Sequence, residues 1–136
     1  MKRLVYLISP NRIYKSFYKD LKKVLEYNNV KFFQLRIKKT SNDNLIRIAK
    51  KIAKITKKYN VKLIINDNAK VAKKIKADGC HLGQSDESII EVNKYFKNKI
   101  IGVTCHNSKK LAQIAIKNKA KYVAFGSFYN SKLKPK

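Results

Sequence analysis

An α/β fold on a parallel sheet is predicted by three features of this 136-residue sequence: period-two apolar runs alternate strictly with amphipathic stretches of period 3.6, the connections are short, and no stretch reads as a linker or low-complexity tract. Residues 3–9 (RLVYLIS) predict a strand and 13–27 an amphipathic helix. A strand over 31–37 (KFFQLRI) leads into a helix over 44–59, with Ser41 or Asn42 as its cap. A strand over 61–66 (VKLIIN) precedes a short helix over 69–76. A brief strand at 79–83 (GCHLG) is followed by a helix over 87–96, with Ser85 or Asp86 near its start. Residues 99–105 (KIIGVTC) predict a strand and 108–119 a helix capped near Asn107 or Ser108, before a last strand at 121–127 (KYVAFGS). One domain over residues 1–136 is long enough to bury a core.

Two architectures satisfy this alternation, an open doubly wound sheet and a (β/α)8 barrel, and both place a site at the carboxyl ends of the strands. The phosphate-binding glycine patterns GxGxxG and GxxxxGK, which a nucleotide-binding sheet carries after its first strand, do not follow residues 3–9. Several successive strands instead end on polar residues, as a barrel mouth requires. Six strands can be counted where a closed barrel of this type has eight, so an incomplete barrel of about six βα units is expected, with two unpaired edges and an exposed apolar interior.

Lys and Arg number 33 against 8 Asp and Glu, a formal net charge of +25. The lysines are spread along the chain and, in stretches such as RIAKKIAKITKKY, fall between apolar residues at helical spacing, which describes solvated helix faces and not a nucleic-acid patch. Nucleic acid is therefore not the expected partner; a small anionic substrate would profit from the same field. The apolar runs are too short to span a bilayer, and the basic-then-apolar start (MKRLVYLIS) is too short and lacks the cleavage site of a signal peptide, so no membrane partner and a cytoplasmic location are expected. Cys80 and Cys105 each precede a His, but no close CxxC or HxxxH pair accompanies them, and neighbours on a strand face opposite ways. Two buried free thiols are expected.

The scarce acids are informative. Asp67 follows the strand at 61–66 directly and Asp86 comes just after the strand at 79–83, so both belong at one mouth of the sheet. In QLRIK, Gln34, Arg36 and Lys38 share one face and Leu35 and Ile37 the other. With the apolar pair toward the helices, the polar trio faces the axis, where charged groups are costly unless they meet a ligand or water. Two carboxylates beside Arg and Lys can form ion pairs, or can hold Mg2+, a hard cation that takes one or two carboxylates together with substrate phosphate oxygens. Asp86 can also cap the helix that follows it.

QLRIK, LIINDN, ADGCHLGQSD, IIGVTCH and YVAFGSFYNSKLK, in this order and spacing, resemble the thiamine-phosphate synthase family from about residue 30 onward. The resemblance implies a (β/α)8 barrel that joins a hydroxymethylpyrimidine diphosphate to a thiazole phosphate with release of pyrophosphate, using Mg2+. By position it implies that Gln34, Arg36 and Lys38 serve the pyrimidine diphosphate, that Asn66 contacts its diphosphate, and that Asp67 and Asp86 hold the metal. Thr104 stands where the family usually has Ser, and Lys134 matches the Lys that closes a TxTK-like segment; Arg36, Lys38 and Lys134 with Mg2+ would stabilise the departing diphosphate. The sequence departs from the family at Ile37, commonly acidic, and at Ser131 and Leu133, where a TxT would contact thiazole phosphate. The family's last two βα units have no counterpart, so a homo-oligomer or a complementing C-terminal fragment is an expected partner. Two other readings compete. A related thiazole tautomerase would use His106 as proton carrier, although retention of both Asp67 and Asp86 favours the synthase. A non-catalytic basic remnant would bind nucleic acid or a protein partner.

Overall fold

The computed structural model describes residues 3–27 and 29–129. Its elements are β1 (Val5–Ile8), α1 (Phe17–Leu25), β2 (Val30–Leu35), α2 (Asn42–Lys58), β3 (Lys62–Asn66), α3 (Ala69–Lys74), β4 (Gly79–Leu82), α4 (Ile89–Tyr95), β5 (Ile100–Thr104), α5 (Lys109–Lys117) and β6 (Tyr122–Ala124). All six strands are parallel and lie in sequence order, β1-β2-β3-β4-β5-β6, the arrangement of a barrel wall and not of a doubly wound sheet. The fold is an incomplete α/β barrel. Among the described residues β1 pairs only with β2 and β6 only with β5.

Period-two alternation sorts every strand into two sets. Phe33 and Leu35 of β2, Leu63 and Ile65 of β3, Cys80 and Leu82 of β4, and Ile101 and Val103 of β5 join the helices in one buried cluster. Helix α2 contributes Leu45, Ile48, Ala49, Ile52 and Ile55 at helical spacing, while its Lys50, Lys51, Lys54, Lys57 and Lys58 stay exposed. The lysine-rich faces are solvated, as their spacing predicts. The opposite set, including Tyr6, Gln34, Asn66, His81, Thr104 and Tyr122, lines a cavity on the inner face. Tyr6 stacks on Phe32 at 5.5 Å, and its hydroxyl lies 2.6 Å from that of Tyr122, so side chains of the two edge strands meet across the concave sheet. The apolar edges are exposed, as expected: Ile8 on one side, and Phe125, Phe128 and Tyr129 on the other.

Caps explain most helix starts. Ser41 accepts a hydrogen bond from Asn44 N, Asn68 from Val71 N and Ser108 from Leu111 N. Helix α4 is capped by Ser88, which accepts from Glu91 N, and not by Ser85 or Asp86; the tight turn between Gly83 and Asp86 uses up those residues first. Helix α1 is shorter than its periodicity predicts, because residues 14–17 close a separate turn, with Phe17 N donating to Tyr14 O. That turn leaves Tyr14 mostly exposed, while Phe17 enters the core. Cys80 and Cys105 are buried and free, and burial, with the charge of Glu87 adding to it, pushes the Cys80 thiol up to about 12.

Gly79 marks the tightest point of the wall. A Cβ there would lie 2.0 Å from the backbone oxygen of Ile100 on the adjacent strand, which cannot yield without breaking the β4–β5 ladder. Gly79→Ala should therefore cost about 3 kcal/mol as an overpacked core position. A melting temperature lower by roughly 10 °C is the expected calorimetric result.

Candidate active site

The strand ends β2 to β5 build two adjoining cavities that share Asn66, His81 and Thr104 as a common wall. The larger, of about 550 Å3, has Tyr6, Tyr122, Phe125 and Ile8 with Gln34 and Arg36 around it. It suits a flat ring with a few polar edges. The smaller, of about 290 Å3, is charged: Lys38, Asp67 and Asp86 line it with Gln84 and His106.

Local backbone explains why the charged groups face this mouth. Ser9 holds the backbone of Arg36 from the neighbouring strand, accepting from Arg36 N at 2.9 Å, and Asn11 accepts from Lys38 N at 2.6 Å. Arg36 and Lys38 are thus carried beyond the end of β2 on a fixed path. Asp67 has a left-handed backbone (φ 63°), and its N–H donates to His81 O at 2.8 Å, which turns the chain sharply at the end of β3. The Lys38 ammonium donates to the Asp67 carboxylate in an ion pair open to solvent on the lysine side. Asp86 accepts from Gly83 N at 2.6 Å. Partial burial raises the Asp86 carboxyl above its usual range; Asp67, near enough to share a hydrogen bond, raises it further, while the Gly83 N–H and Lys38 oppose the shift.

The predicted trio of β2 divides. Gln34 is buried and donates through Nε2 to the Tyr6 hydroxyl at 3.0 Å, Arg36 lines the larger cavity, and Lys38 lines the smaller one. Among the described residues the Arg36 guanidinium makes no hydrogen bond or ion pair, so this half-buried cation is available to an anion. Asn66, Asp67, Asp86 and Thr104 line the smaller cavity together. Asp86 does not cap α4; it bridges the turn at Gly83 instead. Ser131, Leu133 and Lys134 lie outside the described residues. Two carboxylates side by side form an oxygen donor set, and among the described residues no group of three His, Cys, Asp or Glu converges, so a cation here would complete its shell with ligand or water oxygens.

Sequence reasoning missed three interior residues. His81 sits at the centre of the wall, with Nε2 2.8 Å from Thr104 Oγ1 and Nδ1 3.0 Å from the Tyr122 hydroxyl, and its ring stacks on Tyr122. Tyr6 extends the chain to Gln34. The available signal was alternation in β4: once Cys80 is assigned to the helices, its neighbour His81 must face inward. His106, at the end of β5, borders the charged cavity but is exposed.

The family described as thiamine monophosphate synthase matches residues 5–136. The chain belongs to this family. It is 56% identical over 134 residues to the thiamine-phosphate synthase of Pelagibacter ubique, covering 98% of this chain and 65% of that protein. With the thiamine-phosphate synthase of Erythrobacter litoralis it shares 39% over 135 residues, 97% of this chain and 63% of the relative. Its fold superposes on a thiamine phosphate pyrophosphorylase from Pyrococcus furiosus with a TM-score of 0.83 at 28% identity, covering 98% of this chain and 65% of the other. The sequence thus spans just under two thirds of these family members. Neither the tautomerase nor the nucleic-acid reading is favoured by these relatives.

The raised Asp86 carboxyl has a definite consequence for stability. Because folding raises this carboxyl, its contribution to stability is fully present below the ordinary carboxylate range and is lost as pH rises through the raised value. A bound divalent cation competes with that proton and is favoured in the opposite direction. If Asp67 and Asp86 hold Mg2+, melting curves should show stabilisation by it near neutral pH that fades as the solution is acidified. Asp86→Asn keeps an oxygen for the Gly83 N–H, so it should melt at or slightly above the unmodified protein without metal and lose the Mg2+ response.

Proposed function

We propose that this segment carries the pyrimidine-diphosphate and Mg2+ half of a thiamine-phosphate synthase, a transferase that couples a hydroxymethylpyrimidine diphosphate to a thiazole phosphate with release of pyrophosphate. The observation that carries the reading is the junction of the two cavities. An aromatic-lined space for a ring adjoins a charged space holding Asp67, Asp86 and Lys38, and the Arg36 guanidinium stands on the larger side without a partner among the described residues.

Mg2+ would be held by Asp67 and Asp86, and when bound it would supply positive charge to the departing diphosphate. The chain's own residues do the rest. Arg36 and Lys38 bind and orient the diphosphate; ligand binding would draw Lys38 into sharing its charge between Asp67 and the incoming anion. Asn66, on the shared wall, reaches the point where ring and diphosphate would join. Ionisation of a methylene bearing a neutralised diphosphate leaves a cation that the thiazole nitrogen can capture, so no enzyme nucleophile is needed. No helix of the described residues is long and apolar enough to cross a membrane, and a cytoplasmic setting fits the substrates proposed. The edges of β1 and β6, which meet no further strand among the described residues, would be covered by the remaining third of the family's barrel, with a second copy of this chain as the other occupant.

Calorimetric titration tests the binding half. The 136-residue chain should bind the pyrimidine diphosphate in Mg2+, and EDTA should abolish the heat; binding indifferent to EDTA would remove the main support for the reading. Little or no thiamine phosphate should form from these residues alone, because they span just under two thirds of the family members matched, and a second phosphate deprived of two charge-assisted bonds would bind more weakly by roughly 3–6 kcal/mol, about two to four orders of magnitude. Vigorous turnover would refute that division. Arg36→Ala should weaken the pyrimidine diphosphate by about ten- to a hundredfold while changing stability by no more than roughly 0.5 kcal/mol. A large fall in melting temperature with unchanged affinity would instead make Arg36 structural.

A further inference from the structure

Beyond Ile8 the first strand no longer pairs in register with the second, yet it does not let go of it. The β1–β2 register closes at Ile8 and Gln34, and Ser9 N still donates to Gln34 O at 2.9 Å. In a parallel ladder the next bonds would run from Arg36 N to the Ser9 carbonyl, from Asn11 N to Arg36 O, and from Lys38 N to the Asn11 carbonyl. Side-chain atoms of Ser9 and Asn11 stand in all three places. Arg36 N donates to Ser9 Oγ at 2.9 Å, the same hydroxyl donates to Arg36 O at 3.3 Å, and Lys38 N donates to Asn11 Oδ1 at 2.6 Å. Side-chain atoms leave the main chain in other directions than its own carbonyls and N–H groups. Residues 36–38 are therefore held as firmly as a ladder would hold them, without having to follow the plane of the sheet.

The path so held is the one that delivers the charges. Leu35 ends β2, and Lys39 turns the chain with a left-handed backbone (φ 55°). Between those points Arg36 reaches the larger cavity and Lys38 the smaller. Ser9 is buried, where a hydroxyl needs partners, and Asn11 is exposed. Because Ser9 N faces β2, the nitrogen of Pro10 faces the other side, where β1 meets no further strand among the described residues. The N–H that Pro10 lacks is thus not one the ladder needs. We infer that Ser9 and Asn11 are positioning residues: they set the pose of residues 36–38, and with it the affinity of the Arg36 and Lys38 cations for a diphosphate that spans the two cavities. The inference rests on the proposed function for the ligand, and adds to it two residues that act only through the backbone of Arg36 and Lys38.

Double-mutant cycles read by calorimetric titration of the pyrimidine diphosphate with Mg2+ test this. Asn11→Ala, at an exposed site, should weaken binding about five- to tenfold, the scale of one neutral hydrogen bond, with the melting temperature nearly unchanged. In a Lys38→Met background the same change should have no further effect. Ser9→Ala should weaken binding by a similar factor, and by nothing more once Arg36→Ala is present. It also strips Arg36 N–H and C=O of their partner, so it should lower the melting temperature; Ser9→Thr keeps the hydroxyl and should restore the affinity. A side chain with a merely structural role would give losses that add in these backgrounds. Losses that add in either cycle overturn the inference, as does an affinity untouched by Asn11→Ala and Ser9→Ala, and both results leave the proposed function standing. Inorganic pyrophosphate with Mg2+ is the second probe, because it calls on the cations but brings no ring. If the cycles appear with pyrophosphate while the pyrimidine diphosphate does not bind, the proposed function falls and this inference stands. If the wild-type chain binds neither, both fall.

Discussion

The alternation of each strand between an outward and an inward side chain is the constraint on which everything else depends. Outward residues such as Leu63, Ile65, Cys80 and Leu82 carry the hydrophobic driving force, packing against α2 and α3. Because they suffice, the inward set is released from that duty and can be polar. Ile64 shows the division: it is fully buried yet stands apart from the helix-side cluster. A one-residue slip in any strand would exchange the two sets, placing Asn66 or His81 among the helices, so the register that secures the core also secures the site.

A polar interior is affordable only when its members satisfy one another. No buried side-chain nitrogen or oxygen among the described residues lacks a partner, and the Gln34–Tyr6–Tyr122–His81–Thr104 chain accounts for much of that. The same bonds tie the edge strands to the middle of the sheet. Tyr6 on β1 and Tyr122 on β6 have no ladder between them, yet their hydroxyls meet, which resists flattening of the curved wall. Structure and site therefore use the same hydroxyls, and the charged groups can remain outside this network, where Arg36 keeps its donors available.

What the sequence made legible follows the same logic. Asp67 and Asp86 could be placed together because strand neighbours fix distance without any knowledge of side-chain packing. The Ser41 and Ser108 caps were legible because capping is local. Ser88 was hidden by a turn whose closing bond, Gly83 N to Asp86, competes with helix initiation. The first helix was expected from residue 13 because helical spacing alone does not show where a helix begins. Tyr6, His81 and Tyr122 could be assigned a face, but their meeting depends on the curvature of six strands, a property of the assembled sheet that no local pattern contains.

The charge balance then takes its place. The excess of 25 positive charges resides largely on exposed helix faces, whereas the mouth opposes Asp67 and Asp86 to Lys38 and Arg36 and is locally near balance. At physiological ionic strength surface charges act over about 8 Å, so the outer lysines add little to the energy of a ligand seated in the cavities. Their field acts before binding, raising the rate at which a small anion encounters the mouth. Affinity and orientation depend instead on the few groups the strands aim inward. Under the proposed function a chain this basic would for that reason discriminate among anions: the surface would gather them without selection, and the two acids at the mouth would disfavour those that do not bring a cation with them.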